Sequence, residues 1–278
     1  MLGFNDSPAS CAVPGRNGVR DGRSWQDAIE PLLRAPDDRL WREHSDAVNL
    51  ALLARWLPVG ACRRALKTDL FDEAMGEGLY PLLAEHASEV TAADAALSVA
   101  SAALARYPAL LAAVADVREL PFASESFEVV VSNSTLDHFE SARDVVRALG
   151  ELRRVLRPGG RLLLTMDNLA NPLVAIRNAL PFALLQRLRL VPYPMGATFG
   201  PWRLKRILRT GGFEVLDTAA VMHCPRVFAV WRARSVERQA GAGSRQRLLR
   251  RLGRWESLGT LPTRFLTGYF VGVNARKL

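Results

Sequence analysis

The chain has 278 residues, of which 49% are hydrophobic and 23% are charged, and its net charge is +9. These proportions are typical of a soluble globular protein with a full core, built as one large domain or two small ones. No uncharged apolar run approaches the roughly 18 to 20 residues that a bilayer-crossing helix needs, which excludes a membrane span.

The N-terminus and the cysteines indicate the compartment. The opening residues lack the apolar region of a secretory signal, so secretion is not expected. Cys11, Cys62 and Cys224 are widely spaced and odd in number, which suits a reducing environment and offers no metal-ligand spacing. The sequence therefore predicts a cytoplasmic protein without a metal site.

The two halves of the chain carry opposite charge. Residues 1–142 contain 12 Lys and Arg against 21 Asp and Glu, whereas residues 143–278 contain 25 against 7. A basic half of this size is compatible with a solvated surface, an anionic acceptor molecule, a nucleic acid or an anionic membrane. Charge alone leaves these four alternatives open.

In chain order, the first segments are an arm and a helical cap. Residues 1–24 are rich in Gly, Pro, Asn and Arg without apolar periodicity, which predicts a flexible arm. Apolar spacing over residues 25–60 is helical and stops before Pro58 and Gly60. We interpret residues 25–278 as a single domain that begins with this cap.

Residues 61–170 alternate between strand-like and helix-like segments, and this region is the predicted core. The strand-like segments are RALKTDLF (64–71), EVTAAD (89–94), LLAAVAD (110–116), FEVVVSNS (127–134) and RLLLTMDN (161–168). Such alternation predicts an α/β fold with a parallel sheet covered by helices on both faces.

The C-terminal part adds two insertions and further sheet. Residues 201–223 and 265–278 resume the helix–strand pattern, whereas residues 171–200 and 224–264 are interpreted as helical insertions. In the second insertion, Leu248, Leu252 and Trp255 share one helical face and arginines occupy the far side. This pattern predicts a lid packed on the domain, with an anionic-membrane contact as the alternative.

The residues that follow each predicted strand are the candidate ligand-binding residues. In an open parallel sheet, ligands bind beyond the carboxyl ends of the strands. A glycine there lets the backbone approach a ligand closely, and a carboxylate can accept both hydrogen bonds of a ribose diol. The candidates in chain order are Asp72, Gly76, Gly78, Asp94, Asp116, Ser132 and Asn133.

This ordered series resembles the class I S-adenosylmethionine-dependent methyltransferases, a Rossmann-like family, over roughly residues 62–170. The family's first motif, acid-x-Gly-x-Gly-x-Gly, matches residues 72–78, with Ala74 in place of the first glycine. Its acids after the second and third strands match Asp94 and Asp116, with Val117 next to the latter. The segments FEVVVSNSTLDHF and ELRRVLRPGGRLLL resemble later motifs of its small-molecule members.

The resemblance implies a fold, a cofactor and a set of binding residues. The implied fold is a mostly parallel seven-stranded sheet with an antiparallel last strand, and the implied cofactor is S-adenosyl-L-methionine. A dinucleotide is disfavoured because the turn lacks the third glycine of G-x-G-x-x-G. The implied cofactor-binding residues are Asp72, Ala74, Gly76, Gly78, Asp94, Asp116, Val117, Ser132 and Asn133.

The resemblance also frames the reaction. A sulfonium methyl group is already activated, so the protein must mainly exclude water and align the acceptor. A general base helps only a weak nucleophile, and His138 is the best-placed candidate, with helix capping or packing as its alternative role.

The sequence favours a small-molecule acceptor, methylated at O or N. Nucleic-acid amino-methylating relatives usually carry Asn/Asp-Pro-Pro-aromatic after the fourth strand, where this chain has SNST. An RNA methyltransferase and a non-catalytic cofactor-binding or scaffold protein stay open as alternatives.

Overall fold

The computed structural model describes Leu33 and residues 38–187, 196–239 and 241–278, so the predicted arm lies outside the described residues. Seven strands form one sheet in the order β3-β2-β1-β4-β5-β7-β6. The strands are β1 (Cys62–Lys67), β2 (Ala87–Asp94), β3 (Leu111–Val114), β4 (Phe127–Asn133), β5 (Leu156–Asp167), β6 (Phe213–Val221) and β7 (Phe270–Lys277).

The direction of the strands confirms the predicted sheet. β1 runs parallel to β2 and β4, and the β2–β3 and β4–β5 pairs are also parallel. Only β7 is reversed, since it pairs antiparallel with both β5 and β6. The protein therefore has the mostly parallel Rossmann-like sheet with an antiparallel last strand that the sequence predicts.

Eleven α-helices of the described residues connect or cover the strands. They are α1 (Arg39–Trp56), α2 (Phe71–Met75), α3 (Tyr80–His86), α4 (Leu97–Arg106), α5 (Ala142–Val155), α6 (Pro172–Ala179), α7 (Phe182–Arg187), α8 (Pro201–Thr210), α9 (Arg226–Gln239), α10 (Ala242–Arg254) and α11 (Arg264–Thr267). Within the part of the chain that the structure describes, no helix is long and apolar enough to cross a bilayer.

Both faces of the sheet are buried, as expected for parallel strands between layers of helices. In β4, Val129 and Val131 point into one apolar core and Val130 into the other. The first core includes Leu52 and Trp56 of α1, so the predicted helical cap packs directly on the sheet. This arrangement leaves the carboxyl ends of the strands as the edge at which a ligand can enter.

Helix α5 illustrates how local sequence sets an element. Ser141 is its N-cap, and the Ser141 side chain accepts a hydrogen bond from the amide of Asp144 at 3.1 Å. Val145, Leu149 and Leu152 then recur at helical spacing and are buried against the sheet. The helix starts and faces inward for reasons that are visible in the sequence.

The first strand ends earlier than predicted. The sequence predicts a strand over residues 64–71, but β1 stops at Lys67 and α2 already begins at Phe71. The ammonium group of Lys67 donates to the carbonyl of Asp69 at 2.8 Å and pairs with Glu73 Oε2 at 2.9 Å. These two contacts turn the chain out of the sheet and hold the helical turn in place.

Candidate active site

A cavity of about 420 Å³ opens at the carboxyl edge of the sheet. The connections leave β1 and β4 in opposite directions there, and such switch points are where open α/β sheets bind ligands. The ends of β1, β2, β3 and β4 supply residues to the wall, and α1 supplies Trp41, Arg42 and Asp46 from the other side.

The structure brings six of the ten predicted site residues to this cavity. They are Asp72, Asp94, Asp116, Val117, Asn133 and His138. Ala74, Gly76, Gly78 and Ser132 are not among the described residues that line it. For these four, the assignment to the cofactor stays a prediction.

Asp94, the last residue of β2, is held by two backbone amides. Its Oδ2 accepts from the amide of Leu70 and its Oδ1 from the amide of Ala96, both at 2.8 Å. Burial raises the pKa of Asp94 to about 6, although these hydrogen bonds favour the charged form. Each oxygen keeps a second lone pair, so the carboxylate can still accept from a ligand hydroxyl.

Asp116, just beyond β3, is fixed by its neighbour Arg118. The guanidinium contacts both carboxylate oxygens, and the amide of Arg118 donates to Oδ1 at 2.8 Å. Arg118 lies over the ring of Phe139, 4.8 Å from its centroid, and Val117 is buried next to it. These contacts make a rigid, partly apolar wall at this side of the cavity.

Asp72 belongs to a chain of buried polar groups. Its Oδ2 accepts from Asn133 Nδ2 at 3.3 Å, and Asn133 Oδ1 accepts from the hydroxyl of Thr165 at 2.7 Å. Burial raises the pKa of Asp72 to about 7, with Lys67 opposing the shift. This carboxyl therefore titrates near neutral pH inside the cavity wall.

The two glycines of the first motif serve the turn itself. Gly78 has a φ of +61°, and a Cβ there would lie 2.7 Å from the carboxyl group of Glu73. A Cβ at Gly76 would lie 3.3 Å from Asp46 Oδ2, whereas Ala74 packs against the core from α2. Ser132 is fully buried and accepts from the hydroxyl of Thr68 at 3.0 Å.

Glu73 and Lys67 form the ionic centre beneath this turn. Both side chains are almost completely buried, and Glu73 Oε1 also accepts from the amides of Leu79 and Tyr80. Burial lowers the pKa of Lys67, but the surrounding carboxylates, Asp69 foremost, raise it above its ordinary value. The lysine therefore stays protonated as the counter-ion of the turn.

Sequence reasoning missed Asp69 and Thr135, both of which line the cavity. Asp69 lines the cavity, pairs with Lys67 at 3.1 Å and accepts from the Thr135 hydroxyl at 3.3 Å. Ser134 follows β4 with a φ of 51°, a left-handed conformation that is uncommon outside glycine. Ending the first strand at the charge of Lys67 would have placed Asp69 at the strand end.

The charge of the cavity is strongly negative. Among the described lining residues, eight carry carboxyl groups and three are arginines. Burial raises the pKa of Asp46 to about 6, so this group shares the near-neutral titration of Asp72 and Asp94. Such a site attracts a cationic ligand and repels a pyrophosphate.

His138 lies in a single 3₁₀ turn, Leu136–His138, that follows β4 and reaches the cavity. The neighbouring Asp137 is buried, accepts from Ser134 Oγ at 3.0 Å and from the amide of Asp167 at 2.9 Å. Burial and the Asp137 charge raise the pKa of Asp167, which pairs with Arg177. The turn that carries His138 is therefore anchored to the end of β5.

The predicted lid helix packs elsewhere. Leu252 of α10 is buried and Leu248 is half-buried against the core, and α10 lies against α1 and α9. None of its described side chains lines the cavity, and Trp255, just after the helix, is 45% exposed. The apolar face of α10 thus faces the protein, and its arginines face solvent.

Fold and site together define a doubly wound α/β protein with a ligand cavity at the switch point of its sheet. Comparison with known proteins adds a family match for part of the chain. Residues 71–164 match the family described as a methyltransferase domain. The resemblance seen in the sequence is therefore confirmed over these residues, which form a methyltransferase domain.

Three curated relatives match parts of the chain. A probable S-adenosylmethionine-dependent methyltransferase of Mycolicibacterium smegmatis is 30% identical over 58% of this chain and 57% of its own length. A demethylmenaquinone methyltransferase of Beutenbergia cavernae is 30% identical over 49% and 51%. A probable tRNA methyltransferase 9B of Homo sapiens is 38% identical over 22% and 13%. The chain thus spans little more than half of the first relative, about half of the second and a small part of the third.

Solved structures share the fold at low sequence identity. The cyclase SpnF has a TM-score of 0.61 and 18% identity, with 95% of this chain and 98% of SpnF covered. The N-methyltransferase NodS of Bradyrhizobium japonicum, solved with S-adenosyl-L-homocysteine, has a TM-score of 0.53 and 16% identity, with 91% and 97% covered. The fold is therefore common to proteins of different named activities.

Proposed function

We propose that the protein transfers a methyl group from S-adenosylmethionine to a small-molecule acceptor, at an oxygen or nitrogen atom. The observation that carries this proposal is the excess of carboxylates around the cavity at the switch point of the sheet. S-adenosylmethionine carries a sulfonium and an ammonium group, and a negative cavity favours such a cation.

The residues present fit this cofactor. Asp94 would hold the ribose and Asp116 with Val117 the adenine, as the family resemblance implies. Asp69 and Asp72, next to Asn133, would face the cationic part of the molecule. When bound, the cofactor supplies an activated methyl group, so the chain need not generate an electrophile.

The chain's own contribution is to exclude water, position the acceptor and manage a proton. Trp41, Phe71, Phe139 and Phe270 line the cavity and supply apolar cover. His138 Nδ1 or Nε2 would accept the proton of a hydroxyl acceptor, whereas an amine acceptor would not need it.

A test of the base uses His138→Gln. For a hydroxyl acceptor we expect kcat to fall roughly 100-fold with little change in cofactor affinity. If kcat and its pH profile are unchanged, His138 is a packing residue and the acceptor ionises without help.

Three observations support a small acceptor. The site is a cavity of about 420 Å³ between α1 and the sheet, lined by Arg226 as well as by the acidic groups. The demethylmenaquinone methyltransferase acts, by its name, on a small molecule, and it matches 138 residues of this chain. The tRNA methyltransferase 9B matches only 61 residues.

The decisive experiment is a calorimetric titration with S-adenosylmethionine and S-adenosylhomocysteine. We expect both to bind, and methyl transfer from labelled cofactor to a small-molecule panel to follow. Binding without turnover on any acceptor class would favour the scaffold alternative, and absence of binding would overturn the proposal.

RNA methylation is the second candidate, because four arginines of α10 surround a surface groove. An RNA footprint predicts affinity that falls steeply with salt. It also predicts loss of that affinity when Arg247, Arg250, Arg251 and Arg254 are changed to Glu. We expect neither, since the groove lies on a helix that does not contribute to the cavity wall.

A further inference from the structure

Large apolar side chains stand exposed on four helices of the C-terminal half. Six of them are Leu173 (62%) and Ile176 (58%) of α6, Trp202 (70%) of α8, Phe228 (59%) and Trp231 (57%) of α9, and Leu266 (54%) of α11. We call these six residues the apolar face. Isolated exposed residues of this kind are common, but six on adjoining helices need an explanation.

Two of the helices that carry the apolar face, α6 and α9, meet at Tyr269. The guanidiniums of Arg177 on α6 and Arg226 on α9 both lie over its ring, 5.3 and 5.2 Å from the centroid. Phe265 of α11 is in ring contact with Trp202 of α8 at 6.2 Å. Chain order places these helices near the carboxyl edge of the sheet, because α6 follows β5, α9 follows β6 and α11 precedes the reversed β7. Helix α8 begins just after Phe199, which is bridged to Asn168 at the end of β5.

The same edge holds part of the cavity wall. Arg226, the first residue of α9, lines the cavity together with Phe270, the first residue of β7. Phe228 is two residues beyond Arg226 and is in ring contact with Trp231 at 6.0 Å. An object bound to the apolar face would thus lie next to this part of the cavity wall.

The helices that carry the apolar face are themselves mainly basic, although Arg177 pairs with Asp167 and Arg234 pairs with Asp38. Helices α6, α7, α8 and α11 contain no Asp or Glu, and the only acid of α9, Glu237, is half-buried and accepts from the amide of Leu40. The exposed charged side chains on α8 and α9 include Arg203, Arg206, Arg209, Arg232 and Arg238. A partner for this face must be both apolar and anionic.

We propose that the apolar face docks on an anionic lipid bilayer. Aromatic side chains insert at the level of the headgroups, and arginines near the surface are attracted to anionic lipid. Nucleic acid would pair with the arginines but would leave Leu173, Ile176 and Leu266 in water. The face differs from the α10 stripe predicted from the sequence, because that stripe is turned toward the protein.

Membrane docking is a property separate from methyl transfer, so it can be tested by measuring vesicle binding without an activity assay. The purified chain is sedimented with vesicles of phosphatidylcholine containing about one-third phosphatidylglycerol, and with neutral vesicles of phosphatidylcholine. We expect binding to the anionic vesicles, weaker at high salt, and at least about tenfold weaker binding to the neutral ones.

Variants connect the binding to the face. Phe228→Ser with Trp231→Ser should weaken vesicle binding by roughly tenfold, and Trp202→Ser alone by a few-fold. The matched control is Val146→Ser on α5, where Val146 is 51% exposed, and it should bind like the parent chain. Circular dichroism checks that each variant is folded.

Three results would overturn the proposal. They are no sedimentation of the folded chain with anionic vesicles, binding by the Trp202 variant equal to that of the Val146 control, or displacement from vesicles by RNA with no effect of the apolar substitutions. A concentration-dependent dimer abolished by the Phe228 and Trp231 changes, with vesicle binding absent, would assign the face to a second copy instead.

Discussion

The cavity wall and the apolar face carry charge of opposite sign. Carboxylates outnumber arginines eight to three around the cavity, whereas the helices of the apolar face expose arginines and almost no acids. Acidic groups therefore predominate in the cavity wall, and basic groups predominate on the helices of the apolar face. The cavity attracts a cation and the apolar face attracts an anionic surface. The two ligands therefore do not compete for the same site.

The charged groups of the two regions also differ in their effect on the free energy of unfolding. Exposed arginines contribute little to stability either way, but buried carboxyls are expensive to ionise. Burial raises the pKa values of Asp46, Asp72 and Asp94 from 3.8 to about 6, 7 and 6. The folded state thus holds these protons more tightly, and the free energy of unfolding decreases as pH rises from about 4 to about 7.

The largest expected effect comes from breaking the ionic centre beneath the cavity. Glu73→Ala leaves Lys67 with reduced charge compensation and leaves the amides of Leu79 and Tyr80 without their acceptor. We expect the free energy of unfolding to fall by about 3 to 5 kcal/mol in a denaturant titration.

The control for this change removes both charges together. Lys67→Met combined with Glu73→Gln keeps an oxygen for the two amides and removes both members of the fully buried ion pair, so part of the loss should be recovered although Asp69 loses its lysine partner. A loss below about 1 kcal/mol for Glu73→Ala would contradict the role of the ion pair.

A smaller effect is expected at Asp94. Asp94→Ala removes a candidate acceptor for the ribose, and the affinity for S-adenosylmethionine should fall by roughly 1 to 3 kcal/mol in calorimetry. Asp94→Asn keeps one oxygen that can accept from a backbone amide. It therefore tests whether a loss of affinity comes from the lost ligand contact or from disorder of the loop. The matched control, Glu85→Ala on the exposed side of α3, makes the same charge change and should bind normally. Equal affinities of the Asp94 and Glu85 variants would remove Asp94 from the site.

The affinity for the cofactor should also depend on pH, because the carboxyl groups of the cavity titrate near neutral pH. Asp46, Asp72 and Asp94 become negative as pH rises through about 6 to 7, so affinity for the cationic cofactor should increase roughly tenfold between pH 5 and 8. S-adenosylhomocysteine lacks the sulfonium charge and should show a shallower increase. A flat profile for both ligands would mean that the carboxylates do not face the cation.

The smallest effect is expected at Ala74, which lies in α2 away from the cavity wall. Ala74→Gly should cost about 0.5 to 1 kcal/mol of stability through helix propensity and should leave cofactor affinity unchanged. Ala54→Gly on the exposed side of α1 provides the same propensity change at a distance. A marked change of affinity at Ala74 alone would place the first motif in direct contact with the cofactor.

Much of the sheet could be predicted because its strands are apolar and bounded by turn residues. FEVVVSNS was expected at 127–134 and β4 runs from Phe127 to Asn133, so Asn133 was placed at the ligand edge. Asp94 and Asp116 were found by the same rule, that parallel strands end at one edge.

The remainder depends on contacts between distant residues. Local pattern could not show that Lys67 would be buried, because its partners Asp69 and Glu73 lie in the turn that the ion pair itself creates. Periodicity identified the apolar side of α10 but not what it packs against, and the exposed side chains of α9 have no periodic pattern of their own. For that reason the apolar face that we assign to lipid could not be predicted from the sequence.

The close fit of Gly78 under Glu73 restricts how this region can evolve. A side chain at position 78 meets the Glu73 carboxyl group at 2.7 Å and requires an unusual backbone conformation as well. Glu73 also neutralises Lys67, so the three positions depend on one another. A single substitution at any of them should destabilise the fold, whereas combined substitutions can be tolerated. In a saturation library selected for folded protein, substitutions at Gly78 should therefore be depleted, and the rare survivors should carry a second change at Glu73.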